Sequence, residues 1–145
     1  MPSAHYQRVK AFMRSANQDT PSKVTIPDRK TRELRAGLIL EEALETIASL
    51  GFRVEVKKGF LRKGNYDFDP AYSCDLEGVA DGCADISVVT MGTLIAFGID
   101  DELLLEEVDE SNMRKFGEGG YCREDGKWIK PPDWEPPDIE TAIFN

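Results

Sequence analysis

The chain has 145 residues, a length typical of a single domain. Hydrophobic residues make up 41% and charged residues 31%, which excludes a disordered chain and indicates a soluble globular protein. The 18 basic and 27 acidic residues leave a formal net charge of −9, so we expect no nucleic-acid polymer as partner. The longest uncharged run, 86–99, is too short and too polar to span a bilayer, so we expect no membrane partner either.

Hydrophobic spacing predicts an all-α fold, with four helices in one domain spanning residues 1–145. Asp28 is a plausible N-cap for the second helix, and Gly51 is a plausible stop. The third helix is the most apolar and is predicted to be buried nearly all round. The predicted ranges of the four helices are 4–16, 28–50, 75–98 and 101–116.

Two segments lie outside these helices. Residues 52–74 read as an irregular, basic insertion between the second and third helices, with room for a short hairpin. Its lysines and glycines favour a hypothesis in which it acts as a lid over bound phosphates. Residues 117–145 are rich in Gly and Pro but contain two Trp, so this tail is predicted to dock on the domain or on a neighbouring subunit.

Histidine and cysteine are too scarce for several kinds of catalysis. The three cysteines have no CxxC spacing, which argues against a thiolate zinc site and favours a reducing cytoplasm. The single histidine, His5, excludes a His-rich zinc site, and a Ser-His nucleophile would have to recruit it from the N-terminal end. Any catalysis should therefore depend on carboxylates.

Three glutamates share one side of the second helix. On a helical wheel, Glu41, Glu42 and Glu45 lie opposite the apolar face of that helix, and they are interleaved with leucines. A solvated acidic face is the ordinary interpretation of such a pattern, and a binding site is the alternative.

Two aspartates lie on the apolar third helix. Asp81 and Asp85 are one turn apart on a stripe of otherwise apolar residues, where an uncompensated charge is unfavourable. Salt bridges to Arg32 or Arg35 would explain them, but a divalent cation held between the two helices is the interpretation we favour.

The five acids together make a candidate all-oxygen site of the kind that suits Mg²⁺ or Mn²⁺ with phosphate oxygens. Such a site also needs cationic partners for the phosphates. Lys115, Lys127 and Lys130 could supply them, although each alone is usually an ordinary surface charge.

Four motifs in order resemble the MazG-like, all-α nucleoside triphosphate pyrophosphohydrolases, a superfamily that includes phosphoribosyl-ATP pyrophosphohydrolases and dimeric dUTPases. The motifs are EEALE at 41–45, DGCADISVVTMGTLIAFGID at 81–100, ESNMRK at 110–115 and DGKWIKPPDWEPPDI at 125–139. The likeness is greatest to short phage and bacterial members. It implies a four-helix MazG-like bundle, assembled as a homo-dimer or homo-tetramer.

The resemblance implies hydrolysis of a nucleoside triphosphate to the monophosphate and pyrophosphate with two or more Mg²⁺ or Mn²⁺ ions. It assigns Glu41, Glu42, Glu45 and Asp85 to the family's metal-binding carboxylates, with Glu41 and Glu42 as the catalytic pair. Many relatives have a glutamate at the position of Gly82, so we expect Asp81 to replace it as a ligand. The resemblance assigns contacts to the phosphates or sugar to Asn112, Lys115, Lys127 and Lys130.

Base selection is expected at the end of the first helix, where family members line the nucleobase pocket. Asn17 and Gln18, with the nearby Phe12 and Met13, are the candidates, and an N-cap, a loop and core packing are the alternative. Likeness to the phage MazZ type, which trims the guanine pool, favours dGTP, and dUTP or dCTP stays open. A competing hypothesis is a non-catalytic acidic module that binds a protein partner through Trp128 and Trp134.

Overall fold

A computed structural model describes residues 1–144 and contains five α-helices and two antiparallel two-stranded hairpins. The helices are α1 (Ala4–Ser15), α2 (Arg29–Ser49), α3 (Leu76–Ala96), α4 (Asp101–Arg114) and α5 (Ile139–Phe144). The strands are β1 (Phe52–Val56), β2 (Tyr66–Pro70), β3 (Tyr121–Cys122) and β4 (Trp128–Ile129).

The four predicted helices are confirmed with boundaries within two residues, because side-chain caps define their starts. The Asp28 carboxylate accepts a hydrogen bond from the Thr31 N–H at 2.8 Å and begins α2. Asp75 and Asp100 cap α3 and α4 in the same way. After α2, Gly51 adopts φ 107°, which lies in the left-handed region that favours glycine and ends the helix.

The centre of the fold is an antiparallel pair, α2 and α3, with α1 packed on α3. Thr46 lies beside Gly82, and Arg35 lies beside Gly92, so the chain directions of α2 and α3 are opposite. The buried core is small and joins α1 to the end of α3 through Tyr6, Val9, Met13, Ile95 and Ala96.

The fourth helix departs from the predicted bundle. Its first residue, Asp101, is buried and accepts hydrogen bonds from the N–H and hydroxyl of Ser3. Beyond that point α4 packs mainly on α5 and makes at most slight contact with α2 and α3. Six of its 14 residues are acidic, which leaves no wide apolar stripe to bury. The single chain therefore forms a three-helix core and an extended C-terminal arm, residues 101–144.

The insertion contains the short hairpin that the sequence allowed for. Strands β1 and β2 pair in register, with Val54 opposite Phe68. Aromatic rings line one side, and the Phe52 and Phe68 centroids lie 5.6 Å apart. Most of its side chains are exposed on both faces, an arrangement that is marginally stable for an isolated hairpin.

The tail docks on its own chain. The Trp128 indole donates a hydrogen bond to the Lys115 carbonyl at 2.6 Å, and the Trp134 indole donates one to the Ser111 carbonyl at 2.8 Å. Both contacts are with α4 or its C-cap, so the tail covers α4 rather than the α2–α3 pair.

The chain alone exposes a large surface. Its accessible area is 10475 Å², against about 7,500 Å² for a compact monomer of 16.2 kDa. The expectation that α3 is buried nearly all round is wrong for the single chain, since Leu76 is 83% exposed and Val88 is 36% exposed. The physical reason is that the C-terminal arm does not cover α3.

By length and composition alone, α3 could also cross a membrane, with a mean hydropathy of 1.4. The apolar helix Leu76–Ala96 begins before the uncharged run 86–99, and so it is longer than the segment from which we expected no membrane span. This indication is weak, because core helices of soluble proteins share it and α3 packs on α1 and α2.

Candidate functional site

The acidic site lies on the facing sides of α2 and α3. Arg35, Glu42 and Thr46 share the stripe of α2 that faces α3, because residues seven or four apart return to one side of a helix. Glu42 is half-buried, and its Oε2 is fully buried without a hydrogen-bond partner in the described part of the chain.

Three of the other predicted acids act on the carboxyl group of Glu42. Burial raises the pKa of Glu42, and the negative charges of Glu45, Asp85 and Asp81 raise it further. The structure therefore brings Glu42, Glu45, Asp81 and Asp85 into one electrostatic group. Glu41 is exposed and is not among the groups that shift this pKa.

The donor set fits a hard divalent cation. Carboxylate oxygens are the ligands that Mg²⁺ and Mn²⁺ prefer, and a cation would partner the orphan oxygen of Glu42 and offset the repulsion among the acids. Within residues 1–144, however, no three Asp, Glu, His or Cys side chains converge closely enough to hold a metal as they stand. Binding would therefore require these side chains to rotate inward.

The salt-bridge interpretation of Asp81 and Asp85 is not supported. Across residues 1–144, no lysine or arginine pairs with either aspartate. The guanidinium of Arg35 instead donates to the Val89 carbonyl at 2.8 Å and to the Thr93 hydroxyl at 3.2 Å. Both aspartates therefore lack the counter-charge that this interpretation required.

The predicted phosphate-binding residues lie on the C-terminal arm. Two ammonium groups, those of Lys115 and Lys130, sit 5.3 Å and 4.2 Å from the centre of the Trp134 ring. Asn112 and Lys127 are exposed. Because the arm makes at most slight contact with α2 and α3, one chain does not bring these four residues to its own acids.

A cavity of about 460 Å³ lies between the end of α1, the following loop and α2. Asn17 and Gln18 line it as predicted, and Asn17 adopts φ 59°. Phe12 does not line it and is 65% exposed. One residue further along α1, Met13 is buried and supplies an apolar wall, because successive helical residues point about 100° apart.

Sequence reasoning considered Arg35 only as a salt-bridge partner. In the structure Arg35 is 6% exposed and lines the cavity, and burial lowers the pKa of its guanidinium. The available signal was its position seven residues before Glu42, which places both on one stripe.

The histidine serves the fold. The His5 ring lies 3.0 Å from the Ser87 hydroxyl and ties α1 to α3. No carboxylate among the described residues hydrogen-bonds the other ring nitrogen, so a serine triad is not formed.

Comparison with known proteins identifies the family of the chain. The family model described as phosphoribosyl-ATP pyrophosphohydrolase matches residues 7–112, which include most of α1, all of α2 and α3, and most of α4. No curated protein matches significantly. Because the match spans nearly three-quarters of the sequence, the chain belongs to the phosphoribosyl-ATP pyrophosphohydrolase family and is a nucleotide pyrophosphohydrolase, a hydrolase of phosphoanhydride bonds.

Proposed function

We propose that the chain is a divalent-metal-dependent pyrophosphohydrolase that converts dGTP and water to dGMP and pyrophosphate. The observation that carries the proposal is the buried, unpartnered Oε2 of Glu42 among three other acids, with no basic side chain paired to them in residues 1–144. Like charges gathered on facing helices are unfavourable unless a cation joins them. We place this activity in the cytoplasm, with no nucleic-acid polymer or membrane as partner.

The carboxylates would bind the metal ions, and one of them would also accept a proton. Glu41, Glu42, Glu45, Asp81 and Asp85 would hold two or more ions. When bound, Mg²⁺ or Mn²⁺ would neutralise the triphosphate and acidify a bound water. Glu41 or Glu42 would accept a proton from the attacking water.

The arm would serve a neighbouring copy in a homo-dimer or homo-tetramer. The excess accessible area and the distance of the arm from its own acids both support this arrangement. Asn112, Lys115, Lys127 and Lys130 would then contact the phosphates or sugar bound at the partner's acids, where ammonium groups stabilise charge on the leaving pyrophosphate.

A nucleotide panel tests the proposal. The purified protein is incubated with each canonical rNTP and dNTP and Mg²⁺ or Mn²⁺, and the products are resolved by chromatography. We expect dGTP to be hydrolysed faster than the other nucleotides. Asp85→Asn should lower the rate of dGTP hydrolysis by about 100-fold or more. Asp109→Asn, which changes an exposed acid on α4, should leave that rate unchanged. Faster hydrolysis of dUTP or dCTP would support the proposed reaction but would overturn dGTP as the substrate. Inactivity on all of them would contradict the proposal.

The protein-binding alternative required Trp128 and Trp134 as free anchors for a partner. Both indoles donate hydrogen bonds to the C-terminal half of α4 or its cap, and the two tryptophans are half-buried. Neither ring is presented as a free aromatic anchor for another protein.

A further inference from the structure

Arg35 is a buried cation with neutral partners only. Its Nε donates to Thr93 and its Nη2 to the Val89 carbonyl, whereas Nη1 donates no hydrogen bond within residues 1–144. No carboxylate in that part of the chain pairs with it. Arg35 is 6% exposed as a residue and lines the cavity, where a ligand could supply acceptors for the N–H groups of its guanidinium that have no partner.

The third helix is shaped around this side chain. A Cβ built on Gly92 would clash with Nη2 of Arg35, so any other residue there would require the guanidinium to move. Glycine in a helix interior is otherwise unfavourable. At Gly92 it lets the guanidinium pack directly on α3.

We propose that Arg35 reads the guanine base of the substrate by donating to O6 and N7. This inference rests on the proposed function and names the residue that selects its base. Guanine presents two adjacent acceptors on that edge, whereas adenine presents a donor at N6 and cytosine one at N4. The planar fork of an arginine matches a pair of acceptors. Asp19 lines the same cavity and offers a carboxylate to the N1–H and N2–H of guanine.

The position of Arg35 suits a base better than a phosphate. Arg35 and Glu42 lie on one stripe of α2, seven residues and about 10 Å apart along the axis. Phosphates held at the acids would leave the sugar to bridge this distance and the base to enter the cavity. Met13, Leu34 and Ala96 give the cavity apolar walls, which fit a base and not a phosphate.

Metal-free binding tests Arg35 separately from catalysis. Calorimetry in EDTA compares dGMP, dAMP and 7-deaza-dGMP, which lacks the N7 acceptor. We expect the wild-type protein to bind dGMP about 10- to 100-fold more tightly than either analogue. Arg35→Met should bind all three alike, and Arg32→Met, an exposed arginine on the same helix, should keep the preference.

Equal binding of the three nucleotides by the wild-type protein would overturn the inference, even if Arg35→Met did not fold. An equal loss of all three in folded Arg35→Met would also overturn it and would indicate a phosphate contact. Because binding is measured separately from turnover, a protein that hydrolyses dGTP but binds dGMP and 7-deaza-dGMP equally would refute the role of Arg35 alone. Selective dGMP binding without hydrolysis of any triphosphate would refute the proposed reaction alone.

Discussion

Gly82 of α3 lies directly against Thr46 of α2: a Cβ built on Gly82 would be 2.3 Å from the Thr46 hydroxyl oxygen. That hydroxyl in turn donates to the Glu42 carbonyl at 2.7 Å. The two helices are therefore in close contact one turn from Glu42. A longer side chain at residue 82 would not fit here, which supports the proposal that Asp81 is the ligand on this turn of α3.

Replacing Gly82 with alanine should destabilise the protein by about 1–3 kcal/mol, because the added methyl group must separate α2 from α3. Gly37→Ala is the matched control on α2, since no atom lies within 4 Å of the position that its methyl group would take. Gly37→Ala should stabilise the protein by about 0.5–1 kcal/mol through helix propensity. Urea unfolding measures the free energy of unfolding of both variants, and equal effects of the two substitutions would contradict the close contact between Gly82 and Thr46.

Replacing Glu42 with glutamine should raise the Tm of the metal-free protein at pH 7 by a few degrees while abolishing turnover. Burial, then the charges of Glu45 and Asp85, raise the pKa of Glu42, so the folded state binds its proton more readily than the unfolded state does. The contribution of Glu42 to stability therefore falls as the pH rises through its folded pKa.

The Tm difference between Glu42→Gln and wild type should accordingly shrink as the pH is lowered from 7 through the raised pKa of Glu42, because the wild-type carboxyl then becomes protonated. Glu41→Gln, on the exposed side of the same helix, should show no such pH dependence. A lower Tm for Glu42→Gln at pH 7 would mean that the carboxylate stabilises the metal-free fold, contrary to the repulsion expected among the acids.

Much of this architecture could be predicted from the sequence because local signals determine it. The caps at Asp28 and Asp75 define where α2 and α3 begin. Helical periodicity places Glu42 and Glu45 on one side of α2, and Asp81 and Asp85 on one side of α3. The course of the arm could not be predicted, because hydrophobic spacing shows that a helix has an apolar face and does not show which chain covers it. Arg35 was not recognised because a buried cation without a carboxylate has no pattern along the sequence.

Divalent metal should stabilise the protein through the same acids. Mg²⁺ or Mn²⁺ at about 100 times its Kd should add about 2.7 kcal/mol to the free energy of unfolding and raise the Tm by several degrees. Asp85→Asn should lose this rise, and Asp109→Asn should keep it. An equal rise in both variants would indicate non-specific binding to the acidic surface.

Mixed oligomers should show whether the arm acts on a neighbouring copy. Asp85→Asn and Lys115→Ala/Lys130→Ala chains should each be inactive alone. In a randomly mixed dimer, one site of a heterodimer would combine intact acids with an intact arm, so about a quarter of wild-type activity should return. No recovery after subunit exchange, confirmed by mass spectrometry of the heterodimer, would show that the arm serves its own chain.

The point of cleavage tests the proposed reaction in a single experiment. Phosphorus-31 NMR of dGTP incubated with the protein and Mg²⁺ distinguishes the two possible pairs of products within one spectrum. We expect dGMP and pyrophosphate, with the three triphosphate signals lost together and no dGDP formed. Accumulation of dGDP and orthophosphate would place the attack at the terminal phosphate and contradict a pyrophosphohydrolase acting on dGTP.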